Sequence, residues 1–490
     1  MKRVLVFLLA MLMVLATLSA CAEPTETEET VGESAEETAT VTEEESEFDF
    51  AHAREMLDKL PTSNLNRTFN VLTMQGVGNS QTEIWVEEGN TGDPVKDGVF
   101  LRNAEVLDKL GVEIICSPAP DVSSTAMKDQ TSGTYDYDLI MANGPSTASL
   151  AQNGYLYNFL NLEDTLNLDE DWWDPGTLRD CAIGGKVYFM NGDINILDND
   201  VTWILMFNKK LIKDHDLEEP YELVRQNKWT LDKFYEMLTV VSNDNDGNSI
   251  YDENDSYGFI TTSGGGLTNF LYTCNVKTVD LKDGVPEIIM NQSAEKIVKI
   301  LEWCKKTIHD SNYTYISDNN PEMSKQMFMN NQALFYSEVM SYIVNLREME
   351  TDFGVLPTPL FDESQEEYRT HVDGVGSMIS IPAKAPNPEE TALILETMAI
   401  ASYLHLTPAY YEQTLKRQQS RDYESAEMLD IILQTRTYDI GYIYSNIDLA
   451  GVFSSLVKKG STDFASSFKS KERAATKAVN KLYNSYTEND

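Results

Sequence analysis

Thr68–Met74 (TFNVLTM), Phe100–Leu110 and Val112–Cys116 (VEIIC) form the first legible unit of the chain. TFNVLTM follows a polar turn and reads as a strand. From Phe100 onward, apolar residues fall at positions 101, 104, 106, 107 and 110, which share one face of a helix. Gly111 closes that helix. VEIIC reads as a second strand and Tyr137–Met141 (YDLIM) as a third. Strand, helix, strand, then strand and helix is the order of an α/β layer with parallel pairing. Further strands are expected at Gly185–Met190 (GKVYFM), Val201–Asn208 (VTWILMFN) and Ala333–Tyr336. Helices are expected at Leu231–Val241, Ala294–Ile308, Thr391–Tyr403 and Ser425–Gln434. The chain shows no internal repeat.

Upstream of this unit the sequence changes character twice. Lys2 and Arg3 precede an apolar run, Val4 to Ala20, too short and too terminal for a stable membrane span. The run ends in Leu18-Ser19-Ala20-Cys21, which resembles the lipobox of bacterial lipoproteins. That resemblance implies that residues 1–20 are removed and that Cys21 takes a diacylglycerol, anchoring the chain to the outer side of the cell membrane. Residues 21–49 follow as an acidic tether. Ala22 to Glu47 contains 11 Glu, no aromatic residue and neither Lys nor Arg, so it is expected to stay disordered.

The first 49 residues hold 2 basic and 12 acidic side chains, and removing them from a formal net charge of −41 leaves −31. Such an excess argues against nucleic acid or an anionic lipid surface as partner. About 440 remaining residues exceed what one core usually holds and suggest two lobes. No second apolar run approaches a membrane span. Cys116, Cys181, Cys274 and Cys304 lie far apart without a CxxC pair, so no zinc or redox signature is present, and the sequence leaves their pairing open.

Several segments, taken in order, resemble the family 1 extracellular solute-binding proteins of ABC importers, the group that includes maltodextrin-binding proteins. These are Tyr137-Asp138-Leu139-Ile140 with Ala151-Gln152-Asn153-Gly154-Tyr155-Leu156, Gly185-Lys186-Val187-Tyr188 with Phe207-Asn208-Lys209, Lys228-Trp229-Thr230-Leu231-Asp232, Asn331-Gln332-Ala333-Leu334-Phe335, and Gly374 to Pro382 with Asn387-Pro388-Glu389. The match runs from about residue 65 to residue 490. The resemblance implies a two-lobed α/β fold of the type II periplasmic-binding-protein kind, with a cleft that closes by hinge motion. It places one lobe at about 65–185 plus 350–405 and the other at about 186–349 plus 406–490. It also implies a monomer that captures a small solute, most often a sugar or oligosaccharide, and delivers it to a membrane permease.

Ligand groups should come from loops at strand ends, where α/β sheets open. Asn143 and Ser146 lie in the loop after the third strand, and Ser146 or Thr147 either caps the next helix or meets ligand. The family's acidic positions in this loop are small and polar here. Asp200 and Trp203 enter the crossing strand. Asp198 lies two residues before Asp200, and two carboxylates beside an aromatic ring suit a polyol, accepting from paired hydroxyls while the ring stacks on the sugar face. The plainer alternative is a turn followed by a core Trp. Tyr336 and Glu338 end the Ala333 strand, and Asp373 precedes Gly374 on the return crossing.

One further motif is chemical. Asp244, Asp246, Asn248, Ile250 (through its carbonyl), Asp252 and Asp255 occupy positions 1, 3, 5, 7, 9 and 12 of a calcium-loop spacing. Position 6 is Ser249 where Gly is usual, and position 12 is Asp where Glu is usual. The alternative is an acidic surface turn. No HExxH and no GxSxG elbow exists, so the sequence offers no enzyme signature, although the paired carboxylates of a glycosidase would leave none. A surface enzyme would turn over glycosides; a structural or adhesive surface lipoprotein would be stabilised by no small ligand.

Overall fold

The computed structural model describes residues 49–317, 320–415 and 423–488. Cys21 and the acidic tether lie outside the described residues. Asp49–Asp490 forms one compact unit in itself.

In chain order the strands are β1 (Arg67–Met74), β2 (Val112–Ala119), β3 (Leu139–Asn143), β4 (Trp203–Asn208), β5 (Tyr257–Thr261), β6 (Val279–Lys282), β7 (Val285–Ile288), β8 (Thr314–Ile316), β9 (Ala333–Val339), β10 (Phe353–Leu356), β11 (Thr370–His371), β12 (Ser377–Ser380) and β13 (Arg436–Thr437). They build two main sheets, ordered β12-β3-β1-β2 and β10-β4-β9-β5-β8. In the first sheet β1 runs parallel to β2 and β3, and β12 returns antiparallel. In the second, β5 is parallel to β8 and β9, while β4 and β10 are antiparallel. The fold is the two-sheet α/β architecture expected from the sequence. Parallel pairing leaves the carboxyl ends of β1, β2 and β3 on one edge of the first sheet, and those of β5, β8 and β9 on one edge of the second.

Local chemistry sets the element ends. The helix expected from Phe100 begins earlier, at Pro94, because the Asp93 carboxylate caps it by accepting from the amides of Val95 and Lys96. It stops at Gly111, whose left-handed backbone (φ 67°) suits glycine. Its buried side chains, among them Val95, Val99 and Val106, pack against the long helix Pro388–Leu415. Trp172 and Trp173 are fixed by Glu396 of that long helix: each indole N–H donates to the buried carboxylate at 3.1 Å.

The structure departs from the sequence reading in two places. Gly185–Met190 is not a strand. Gly184 and Gly185 take positive φ (59° and 75°) in a turn, the Val187 amide donates to the Asn158 side chain, and only Met190 bridges to Ile379. Its apolar residues Val187, Phe189 and Met190 are buried, but only Met190 reaches a strand, the edge strand β12. Phe353–Leu356, placed with the first lobe from sequence, extends the second sheet by pairing with β4, so the return crossing begins after Leu356.

The segments joining the sheets lie side by side. Thr202 bridges to Val372, and β11 pairs with β13. The candidate site sits beside this join.

Candidate functional site

Short carboxylate-bearing turns lead the chain from one sheet to the other. The turn Leu197–Asp200 precedes β4, and its first two amides, Ile196 and Leu197, donate to the same oxygen of Glu83 at 2.7 and 2.8 Å. Glu83 is fully buried, and burial pushes its carboxyl up to about 7 despite those two bonds. The two hydrogen bonds to one buried oxygen fix the turn in place.

Asp198 and Asp200 look equivalent in sequence but have different tasks. Asp198 is consumed by structure: it accepts from Asn191 at 3.1 Å and from the Arg436 guanidinium at 3.0 Å. Asp200 faces a cavity of about 330 Å³. It accepts from the Asn79 amide at 2.7 Å and the Tyr410 hydroxyl at 3.1 Å. Burial pushes Asp200 up to about 6, and those two hydrogen bonds only partly offset it.

The cavity's polar lining adds Ser341, Asn345, Gln413 and Thr414, and its apolar lining includes Val77, Met340, Val344 and Val375. These come from separate parts of the chain: the loop after β1, the crossing turn, the segment after β9, the return crossing and the long helix. Asp200 is the one ionisable carboxylate among them, and no Lys or Arg lines the cavity among the described residues. A few convergent polar groups on an otherwise apolar wall is the usual character of a small-molecule site.

The remaining sequence candidates divide. Asn143, not Ser146 or Thr147, caps the helix Gly144–Gln152, accepting from the Ser146 amide at 3.0 Å. The Thr147 hydroxyl donates instead to the Ala142 carbonyl at 3.1 Å. Capping falls to Asn143 because the helix starts one residue after it. The same loop meets the return crossing, where the Gly144 amide donates to the Gly374 carbonyl at 2.9 Å. Asp373 is half-buried there, accepts from the Val375 amide, and lines a second, very small cavity with His371 and Tyr442.

Trp203 does not line the larger cavity. Its indole lies against Gly265 and Gly266, so close that a Cβ at Gly265 would fall 2.3 Å from the ring. Tyr336 is fully buried against Phe328 and cannot act as a stacking platform in this conformation. β9 is an interior strand buried on both faces, and Phe328 of the helix Pro321–Met329 covers Tyr336. Glu338 is buried too. It accepts from the Val339 amide at 3.0 Å, and burial, with the Asp373 charge nearby, pushes it up to about 7.

Sequence reasoning missed Asn79, Ser341, Asn345, Tyr410 and Gln413. A signal existed for Asn79: Gly76 and Gly78, both at positive φ, follow β1 directly and mark a loop at a sheet edge. Tyr410 lies inside a 28-residue helix and carries no local signal.

In the acidic loop, carboxylates of Asp244, Asp246 and Asp255 converge to within 4.8 Å of one another. Asp244 accepts from the amides of Gly247 and Ser249, and buried Asp255 from those of Asn245 and Asp252. Asp252 stands outside the converging group and accepts from the Asn254 amide. Asn248 is turned inward on the loop itself, accepting from the Ile250 amide, and the Ile250 side chain is exposed. Three carboxylates without a paired base among the described residues fit a hard divalent cation.

Residues 104–403 match the family of bacterial extracellular solute-binding proteins. In fold the chain is similar to the cyclic alpha-maltosyl-1,6-maltose binding protein from Arthrobacter globiformis, at 15% identity and a TM-score of 0.56 over 84% of this chain and 98% of that one. It is similar to a cyclo/maltodextrin-binding protein complexed with maltotetraose (14%, TM-score 0.54, 85% and 96% covered). It is likewise similar to M. tuberculosis UspC (14%, TM-score 0.54, 84% and 100% covered). No curated protein sequence matches the chain. No described helix is long and apolar enough to cross a membrane.

The raised Asp200 carboxyl makes stability depend on pH. Between its ordinary value near 4 and its folded value of about 6, the folded state holds a proton that the unfolded chain has released. Stability contributed by the protonated form is therefore lost as pH rises through that window, by up to roughly 3 kcal/mol. Asp200→Asn should flatten this part of the curve in denaturant unfolding measured from pH 4 to pH 6.5. An unchanged slope would show that Asp200 is not the titrating group.

Proposed function

This chain belongs to the bacterial extracellular solute-binding proteins, and from that membership we propose that its cavity takes a sugar or oligosaccharide and passes it to the membrane permease of an ABC-type importer. The observation that carries the sugar assignment is the cavity at Asp200. One carboxylate, three amide side chains and three hydroxyls converge there among apolar residues. A carboxylate accepts from paired sugar hydroxyls, and the amides and hydroxyls serve as both donors and acceptors. Two of the proteins similar in fold are named for maltose-based saccharides, which supports the same class. The proposed activity is binding without turnover, by a monomer.

A thermal-shift screen of sugars, polyols and peptides tests the reading, because a ligand that binds only the folded form must raise the melting temperature. A sugar should stabilise the protein and be recovered unaltered. Asp200→Ala should then weaken it by about one to two decades, the cost of an unpaired hydroxyl in a dry site. If no sugar stabilises the protein, the carbohydrate reading fails. If Asp200→Ala binds as tightly as the parent, the cavity is wrongly assigned.

The acidic loop is proposed as a structural calcium site held by Asp244, Asp246 and Asp255. What supports it is the convergence of their carboxylates and the hard oxygen donor set. Chelator should lower the melting temperature while leaving sugar affinity in place, and Asp246→Asn should reproduce the shift. A melting curve indifferent to chelator returns the loop to an acidic turn.

Anchoring through a lipid on Cys21 is proposed from the sequence alone. Intact-mass analysis of the surface protein should show residues 1–20 missing and a lipid on Cys21. An intact N-terminus on that protein would exclude it.

A further inference from the structure

The chain's acidity is not evenly spread. Ala450–Lys459 and Phe464–Thr487 are the last two helices. Residues 450–487 hold seven bases (Lys458, Lys459, Lys469, Lys471, Arg473, Lys477 and Lys481) and two acids (Asp463 and Glu472). That is a net +5 within a body of −31, so the rest of the body carries −36. On the final helix, Lys469, Arg473, Lys477 and Lys481 recur every four residues, which puts them along one side over about 18 Å. All four are exposed, while Phe464, Phe468, Ala475, Val479, Leu482 and Tyr486 on the opposite side are buried. Lys469 pairs with Glu472 and Lys471 with Asp448; Arg473, Lys477 and Lys481 form no ion pair among the described residues.

We propose that this basic stripe docks on a surface of anionic lipid headgroups and orients the body relative to the membrane. The residues between the bases are small or polar: Ser470, Ala474, Thr476, Ala478 and Asn480. A protein partner needs a desolvated apolar or aromatic centre to hold it, and the stripe offers none. A plane of phosphates needs only charge. Screening confines each charge's influence to roughly 8 Å at physiological salt, so four bases against the headgroups act locally while the acidic remainder faces away. Net charge predicts repulsion from such a surface; the distribution of charge gives one favoured orientation.

The test uses the chain from Ala22 to Asp490, which keeps the whole compact unit and lacks both the apolar leader and Cys21. Cosedimentation is measured with vesicles of equal parts phosphatidylglycerol and phosphatidylcholine, and with phosphatidylcholine alone. The parent should bind the anionic vesicles at low salt, lose them at high salt, and ignore the neutral ones. The combined variant Lys469→Glu, Arg473→Glu, Lys477→Glu and Lys481→Glu should lose at least about tenfold in partitioning, given the worth of each base near an anionic surface. A control with Lys96→Glu, Lys128→Glu, Lys213→Glu and Lys299→Glu, exposed bases elsewhere, makes the same change in net charge and should bind as the parent does. Melting temperatures of both variants report whether the fold is kept. The proposal falls if the parent ignores anionic vesicles, or if both variants lose binding equally. It also falls if the stripe variant binds vesicles normally but fails in solute uptake by cells, which would put an acidic protein face on the stripe instead.

Discussion

A buried cation holds the join between the two sheets. Arg436, on β13, reaches Asp174 at 2.9 Å and Asp198 at 3.0 Å, and its guanidinium also donates to Asn199 at 2.6 Å. Burial works against its charge, but Asp174 and Asp198 more than offset that and hold its proton more tightly than usual. Removing one partner from such a pair leaves a buried charge without compensation, a cost of about 3–5 kcal/mol. β13 pairs with β11, and the segment running on from β11 bridges to Thr202, so the same guanidinium ties together the three segments that connect the sheets.

That arrangement decides which carboxylates remain for a ligand. Asp198 is spent on Arg436 and Asn191, and Glu83 on the amides of the crossing turn. Asp200 is two residues further on, at the end of the turn, and its partners Asn79 and Tyr410 are neutral. A buried carboxylate satisfied only by neutral donors keeps capacity to accept more hydrogen bonds. The rigid join and the available acceptor are thus neighbouring consequences of one short helical turn.

The same contrast between total and placement recurs on the surface. Composition describes an acidic protein. One amphipathic helix collects bases at a spacing of four, and its buried side fixes which way they point. Charge balance over the whole chain averages this away.

The local sequence determined the α/β class, the strands at β1, β2, β3, β4 and β9, and the stop at Gly111, because pleat alternation, helical periodicity and glycine's left-handed freedom act over a few residues. It also determined the order of segments that carries the family resemblance, and the candidacy of Asp200. Tertiary structure alone decided the rest. Tyr336 and Glu338 lie two residues apart on one face of β9 and both are buried, because Phe328 of a neighbouring helix packs against Tyr336 and β9 lies inside its sheet. Gly185–Met190 reads as a strand, yet the turn at Gly184 and Gly185 leaves only Met190 in register with the edge strand β12. Tyr410 meets Asp200 across 210 residues, and Arg436 meets Asp198 across 238. Such contacts depend on which segments the fold brings side by side, and no pattern within a few residues of either partner encodes them.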